Sequence, residues 1–329
     1  MYAREDGKYA RDGAGRVSSG LHIPDVHGNK KIGNLGWLMV KRIKELGLHR
    51  AFEENVKSLK DPFTEDDKKK FRHDFFRILQ ASGLKSLDQD TLFFTEEGQP
   101  FNLNFLALLQ KLTDDEDKTI LQLLREGVTM GSTEEVDDSG LWPNKEEKKF
   151  DQDACPIQWE ESYVSAEKQP ERCAKMLKEE VDKNYMEGPF KTKECLQKRL
   201  NCKHSEIAVG RMGLICEDES IDKYRLVYDA TISGVNNGVI LPEKCELPGI
   251  QDLVAILKTM CFHKPIGLKV DVKTAFRRIR IKDCDFKKNV VIVGGDYYFY
   301  KTLPFGAKIS AYYWQRSEEH TSELQSHSD

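Results

Sequence analysis

The chain has 329 residues, of which 39% are hydrophobic and 32% charged, and its formal net charge is −4. That length allows two domains and a sizeable core, while the near-neutral balance does not advertise a nucleic-acid binder. No stretch is long and apolar enough to span a membrane. The first residues lack a secretory apolar segment, and Glu5, Asp6 and Asp12 argue against a transit peptide, so an intracellular location (cytoplasm or nucleus) is expected. The eight cysteines include no Cys-x-x-Cys pair. Cys202-Lys203-His204 comes nearest to a metal cluster but lacks spaced partners, so reduced, partly buried thiols are expected.

Residues 1–30 are rich in Gly, Arg and Asp without periodicity and read as a disordered lead. From Asn34 the pattern turns helical, with Leu35, Leu38, Met39, Ile43 and Leu46 on one face and Gly47 as a stop. Phe52, Val56 and Leu59 suggest a short second helix. Thr64 starts a third, with Phe71, Phe75, Ile78 and Leu79 as its stripe and Gly83 at its end. A fourth helix runs from Leu103 to Leu112. Thr113-Asp114-Asp115-Glu116 reads as a capping box before Ile120, Leu121 and Leu124, closed by Gly127. These stripes predict an all-helical domain over 34–127, followed by a linker over 128–160 that mixes Gly, Ser, Asp and Glu around Trp142-Pro143.

Ser165 opens a charged amphipathic helix with Met176, Leu177, Val181 and Tyr185 apolar and Gly188-Pro189 as its stop. Ile207–Cys216 and Tyr224–Tyr228 read as strands around the acidic loop Glu217–Asp222, and a helix is expected from Asp252 to Met260. The run Ile266–Val270 then delivers a single carboxylate, Asp271, at the end of an apolar strand. Burying such a charge is costly unless a metal or a partner neutralises it, although an Asp there can also cap the following turn. The backbone turns through Thr274 and Ala275, and alternation resumes at Ile279 and Ile281. Asn289–Val293, Gly294-Gly295-Asp296 and Tyr297–Tyr300 form a hairpin signal, and Leu303-Pro304-Phe305-Gly306 and Tyr313-Trp314-Gln315 follow.

Asp271-Val272-Lys273-Thr274-Ala275-Phe276, the aromatic hairpin, Leu303-Pro304-Phe305-Gly306 and Trp314-Gln315 together resemble the first two palm motifs of reverse transcriptases. Their order and spacing are similar to those encoded by retrotransposons. Lys223–Asp229 is similar to the family's fingers hairpin, and Val235-Asn236-Asn237 and Leu247-Pro248-Gly249-Ile250 continue the likeness. The resemblance implies an α+β fold: an all-helical N-terminal region, then the fingers and part of the palm of a right-hand polymerase over residues 161–315. It implies template-directed transfer from a dNTP to a primer 3′-hydroxyl, with RNA or DNA template, primer and dNTPs as partners and no membrane.

Two Mg²⁺ would be held by carboxylates, of which Asp271 would supply one. Arg225, Val272, Thr274, Ala275, Phe276, Phe305 and Gly306 would bind the dNTP. Within that set Arg225 would grip the triphosphate, backbone N–H groups at Thr274 and Ala275 would cradle phosphate, and Phe276 would exclude a 2′-hydroxyl. As an exposed strand residue and a core aromatic, Arg225 and Phe276 also have plain structural readings. Residues 268–289 carry eight Lys/Arg against three Asp. Lys269, Lys273, Arg277, Arg278 and Arg280 would thus contact the nucleic-acid backbone, or protect a strand edge.

The family's Tyr-x-Asp-Asp type motif occurs nowhere in the sequence, so the chain as written is expected to be inactive. Residues 316–329 resemble the conceptual translation of a sequencing-library adapter and are expected to contact no core, with the junction at Arg316. Two other readings remain. One is a non-catalytic nucleic-acid-binding protein derived from a retroelement, and the other treats 34–127 as a protein-interaction module. Oligomeric state, host and element class have no signature.

Overall fold

The computed structural model describes residues 30–50, 63–81, 84, 87–95, 99–113, 115–145, 156–245, 249–259, 272 and 274–326. Helices accompany one five-stranded mixed sheet, so the class is α+β. The chain divides into two compact units: Met1–Phe93 with Asn104–Asp114, and Phe94–Leu103 with Asp115–Asp329. The expected 34–127 domain is therefore not one body, because the Ile120–Glu126 helix belongs to the second unit.

The first unit is helical. Its Glu65–Ala81 helix begins as the sequence predicts, with Thr64 and Asp67 capping each other: Asp67 N–H donates to Thr64 Oγ1 (3.1 Å), and Thr64 N–H donates to Asp67 Oδ2 (3.0 Å). Phe75, Phe76 and Leu79 on this helix bury against Leu84, Leu87, Leu92, Leu108 and Leu112. Each such side chain contributes roughly 1.5–3 kcal/mol on leaving water. The Lys30–Glu45 helix adds Met39 and ties Arg42 to Asp74 at 2.8 Å. The helix expected around Phe52 and the stop at Gly83 lie outside the described residues, as do residues 1–29 of the expected lead.

In the second unit the strands are β1 (Met186–Phe190), β2 (Val209–Asp218), β3 (Lys223–Asp229), β4 (Val290–Val293) and β5 (Asp296–Tyr300). Their order is β1-β5-β4-β2-β3, and every pair is antiparallel except β2 with β4. The expected β2–β3 and β4–β5 hairpins both form. In the second, Gly294 and Gly295 both adopt positive φ, the conformation a tight two-residue hairpin turn requires. The four residues of β4 are all buried, as expected of a strand covered on both faces.

The helix predicted from Ser165 is two pieces, Val164–Glu167 and Pro170–Asp182, because Pro170 restarts it at the first helical position. Gly188-Pro189 is not its stop but lies inside β1, paired to β5. Ile279 and Ile281 are buried but form no full strand. Val128 bridges Ile281 and Thr302 bridges Arg280 instead.

The stretch expected as a linker is, in its described residues, built into this unit. Val128 N–H donates to Arg280 O (2.9 Å), and the fully buried Asp285 accepts from Thr129 Oγ1, Met130 N–H and Thr133 Oγ1. Glu243, also fully buried, accepts from the N–H of Ser139 and Gly140, from Ser139 Oγ and from Tyr312 Oη. Buried carboxylates are tolerated when donors surround them in this way.

The Ile120–Glu126 helix is not capped at Thr113, which ends the preceding Leu103–Thr113 helix. Asp117 organises its start, accepting from the N–H of Thr119 (3.0 Å) and Ile120 (3.1 Å). Arg316, expected at the edge of a contact-free tail, has no exposed surface and pairs with Asp117 through Nε and Nη2. It follows Ile309, Tyr312 and Tyr313 on the buried face of the Lys308–Ser326 helix, and Ser317 is buried as well. The tail expectation is therefore corrected at these two residues.

Candidate functional site

The site begins at a backbone irregularity. Thr274 takes a left-handed conformation (φ 55°) and starts the single 3-10 turn Ala275–Arg278. This turn aims Phe276 at Phe305, with ring centroids 5.7 Å apart and the planes tilted by 32°. Phe305 is held out by its neighbours: Leu303 N–H donates to Ile279 O (2.9 Å), and Gly306 runs against the end of β3. A Cβ on Gly306 would lie 2.1 Å from Tyr228 O, and its φ is +108°, so only glycine fits. Asn236 secures the same corner, donating to Gly306 O (3.0 Å) and accepting from Lys308 N–H (2.8 Å).

Arg225 reaches this corner from β3, its guanidinium 5.4 Å from the Phe305 ring centroid. Arg225, Val272, Thr274, Ala275, Phe276 and Phe305 line one cavity of about 550 Å³, closed behind by Met176, Leu177, Glu179 and Glu180 of the Pro170–Asp182 helix and by Tyr300. That size accommodates a nucleotide-sized ligand. Six of the seven residues assigned to dNTP binding thus converge, and Gly306 shapes the loop from behind.

The strand register explains the charge at the mouth. Pairing of β2 with β3 shifts between Cys216 and Asp218, which leaves Glu217 in a bulge. There it faces two cations: Lys223 Nζ at 3.0 Å and Arg225 Nε at 3.1 Å. The hydrogen bond from Lys223 chiefly holds the Glu217 carboxyl below the usual carboxylate range; burial opposes it, and the positive charges of Lys223 and Arg225 add to the lowering. Sequence reasoning missed Glu217. Its signal was an acid placed to pair across the hairpin with Lys223 and Arg225.

The basic residues divide. Arg277, expected at the nucleic-acid backbone, turns inward instead: its Nε is 3.0 Å from Glu180 Oε2, Nη1 donates to Leu303 O (3.3 Å), and the guanidinium covers the Tyr300 ring at 4.3 Å. Its planar fork stacks and pairs at once, which a lysine could not do. Arg278 is half-buried, and among the described residues its Nε finds no hydrogen-bond partner. Arg280 is exposed. Asp271, Lys269 and Lys273 lie outside the described residues, so the expected catalytic carboxylate has no position to report.

Among the described residues no three His, Cys, Asp or Glu side chains converge as a metal site. Among the described residues that line the cavity the carboxylates are Glu179 and Glu180, both on a helix, and Glu180 is engaged by Arg277. By themselves these two groups do not make a two-Mg²⁺ centre. No helix among the described residues is long and apolar enough to cross a membrane. No family model matches this chain, and no curated protein matches it.

Proposed function

We propose that residues 161–315 are the fingers and first half of the palm of a retroelement-type RNA-directed DNA polymerase, and that the cavity under Arg225 receives the incoming dNTP. One observation carries the reading. Arg225, Val272, the turn at 274–276 and Phe305, far apart in sequence, share a single cavity of nucleotide size. Within it Arg225 offers charge-assisted hydrogen bonds to a triphosphate, and the Thr274–Ala275 turn offers backbone N–H groups. The paired rings of Phe276 and Phe305 form an apolar wall for sugar and base. A bulky ring at the sugar position rejects a 2′-hydroxyl by overlap, which makes Phe276 the residue that selects deoxynucleotides.

The same reading takes RNA or DNA template, primer and dNTPs as partners, Mg²⁺ as cofactor with Asp271 among its ligands, and an intracellular setting.

The test is nucleotide binding by the whole chain, measured by equilibrium dialysis with dCTP and CTP. Wild type should prefer dCTP. Arg225→Ala should weaken both nucleotides by roughly 10- to 100-fold, the value of a charged hydrogen bond of about 1.5–3 kcal/mol. Phe276→Val should erase the preference while leaving dCTP binding in place. Equal binding of dCTP and CTP by wild type, or indifference to Arg225→Ala, would remove the basis of the proposal.

A further inference from the structure

A second cavity, of about 270 Å³, shares Arg277 with the first. Its walls come from the end of the Pro170–Asp182 helix, from Arg280 and from the residues just after β5. Lys183, Arg280 and Lys301 are its cations besides Arg277, and no carboxylate lines it among the described residues. Arg277 is already matched by Glu180, whereas Lys183 and Arg280 make no ion pair among the described residues and Lys301 donates to Asn184 Oδ1. Several other cations of this surface do sit beside acids: Lys178 with Asp182, Lys191 with Asp296, Arg199 with Glu187. Three cations gathered without an acid repel one another, and the arrangement favours an anion that bridges them.

The cleft is smaller than a whole nucleotide site usually requires, but it suits phosphate groups. The amide N–H groups of Asn184 on its wall can donate to phosphate oxygens that the cations attract. We infer that Lys183, Arg280 and Lys301 bind consecutive phosphates of one ligand, either the backbone of a single-stranded nucleic acid or a free polyphosphate. The site does not depend on nucleotide binding under Arg225.

Two measurements on the full chain decide it. In the first, wild type is acetylated at lysine with and without ligand, and modification is read by mass spectrometry. A short single-stranded oligonucleotide and inorganic tripolyphosphate are used in separate arms. Either ligand should suppress modification of Lys183 and Lys301 at least about 5-fold relative to the exposed Lys175 and Lys198, and Arg225→Ala should leave that protection intact. The arm that protects identifies the source of the phosphates.

In the second, the oligonucleotide affinity of Lys183→Gln/Arg280→Gln/Lys301→Gln is followed against salt. Its logarithmic salt slope should fall by about 2, as expected for three lost phosphate contacts on a single strand. A control with Lys175→Gln/Lys178→Gln/Lys198→Gln, equal in charge, should keep the wild-type slope. Failure of both ligands to protect Lys183 and Lys301 overturns the inference, and so does an equal loss in the control. Should the triple variant not fold, the acetylation result on wild type decides alone.

Discussion

Replacing Arg316 with Met should strongly destabilise the second unit. Arg316 has no exposed surface and Asp117 almost none. The guanidinium pairs with both Asp117 oxygens, donates to Thr119 Oγ1 and reaches Asp137 O at 3.0 Å. Methionine fills much of the volume but removes the guanidinium from the buried Asp117, whose local donors include the N–H groups of Thr119 and Ile120 and the Thr119 hydroxyl. Removing one partner of such a pair costs about 3–5 kcal/mol, a factor of more than 100 in the folding equilibrium.

The double variant Asp117→Asn/Arg316→Met should recover part of the loss, because a neutral amide is easier to bury than an abandoned charge. The measurement is urea unfolding followed by tryptophan fluorescence in a Trp37→Phe background, so that Trp142, Trp159 and Trp314 report the second unit alone. A shift below about 0.5 kcal/mol for Arg316→Met, or strict additivity in the double-mutant cycle, would refute the reasoning. Either result would mean that Arg316 is not the buried anchor of its helix.

Glu217→Gln should tighten dCTP binding by roughly 1.4- to 5-fold, since Arg225 is then released from a partly exposed ion pair; unchanged or weaker binding in dialysis counts against it. The Glu217 carboxyl is depressed in the folded chain, so its pairing with Lys223 and Arg225 is present above the unfolded carboxylate range and lost as pH falls through the folded value. Amide exchange at the β2–β3 tip should quicken on acidification in wild type but not in Glu217→Gln. Gly306→Ala should displace the Phe305 loop and lower dCTP affinity at least about 10-fold, because its Cβ meets Tyr228 O and its φ is strained. Iodoacetamide at pH 8 should label the exposed Cys195 and Cys216 well before Cys173 or Cys245: Cys173 is fully buried, and burial pushes the Cys245 thiol up to about 11.

Local pattern was enough for much of the second unit. Alternation and Gly-Gly chemistry located both hairpins, and the Thr274 turn could be named from short-range rules, because strand and turn preferences act over a few residues; Leu303–Gly306 stood out only through its resemblance to a family motif. The helix starting after Thr64 was equally legible, since its capping pair lies three residues apart. Only the tertiary structure decided what those pieces touch. Residues 128–145 look like linker because their side chains are small and acidic, yet Asp285 and Glu243, more than 100 residues away, satisfy their backbone donors. Arg277 reads as a phosphate contact until Glu180 and Tyr300 claim it. Arg316 reads as the edge of a tail until Asp117 arrives from 199 residues earlier. The side chain sets what a charge can bind, but whether it binds solvent, ligand or protein is settled by long-range packing, which no local window contains.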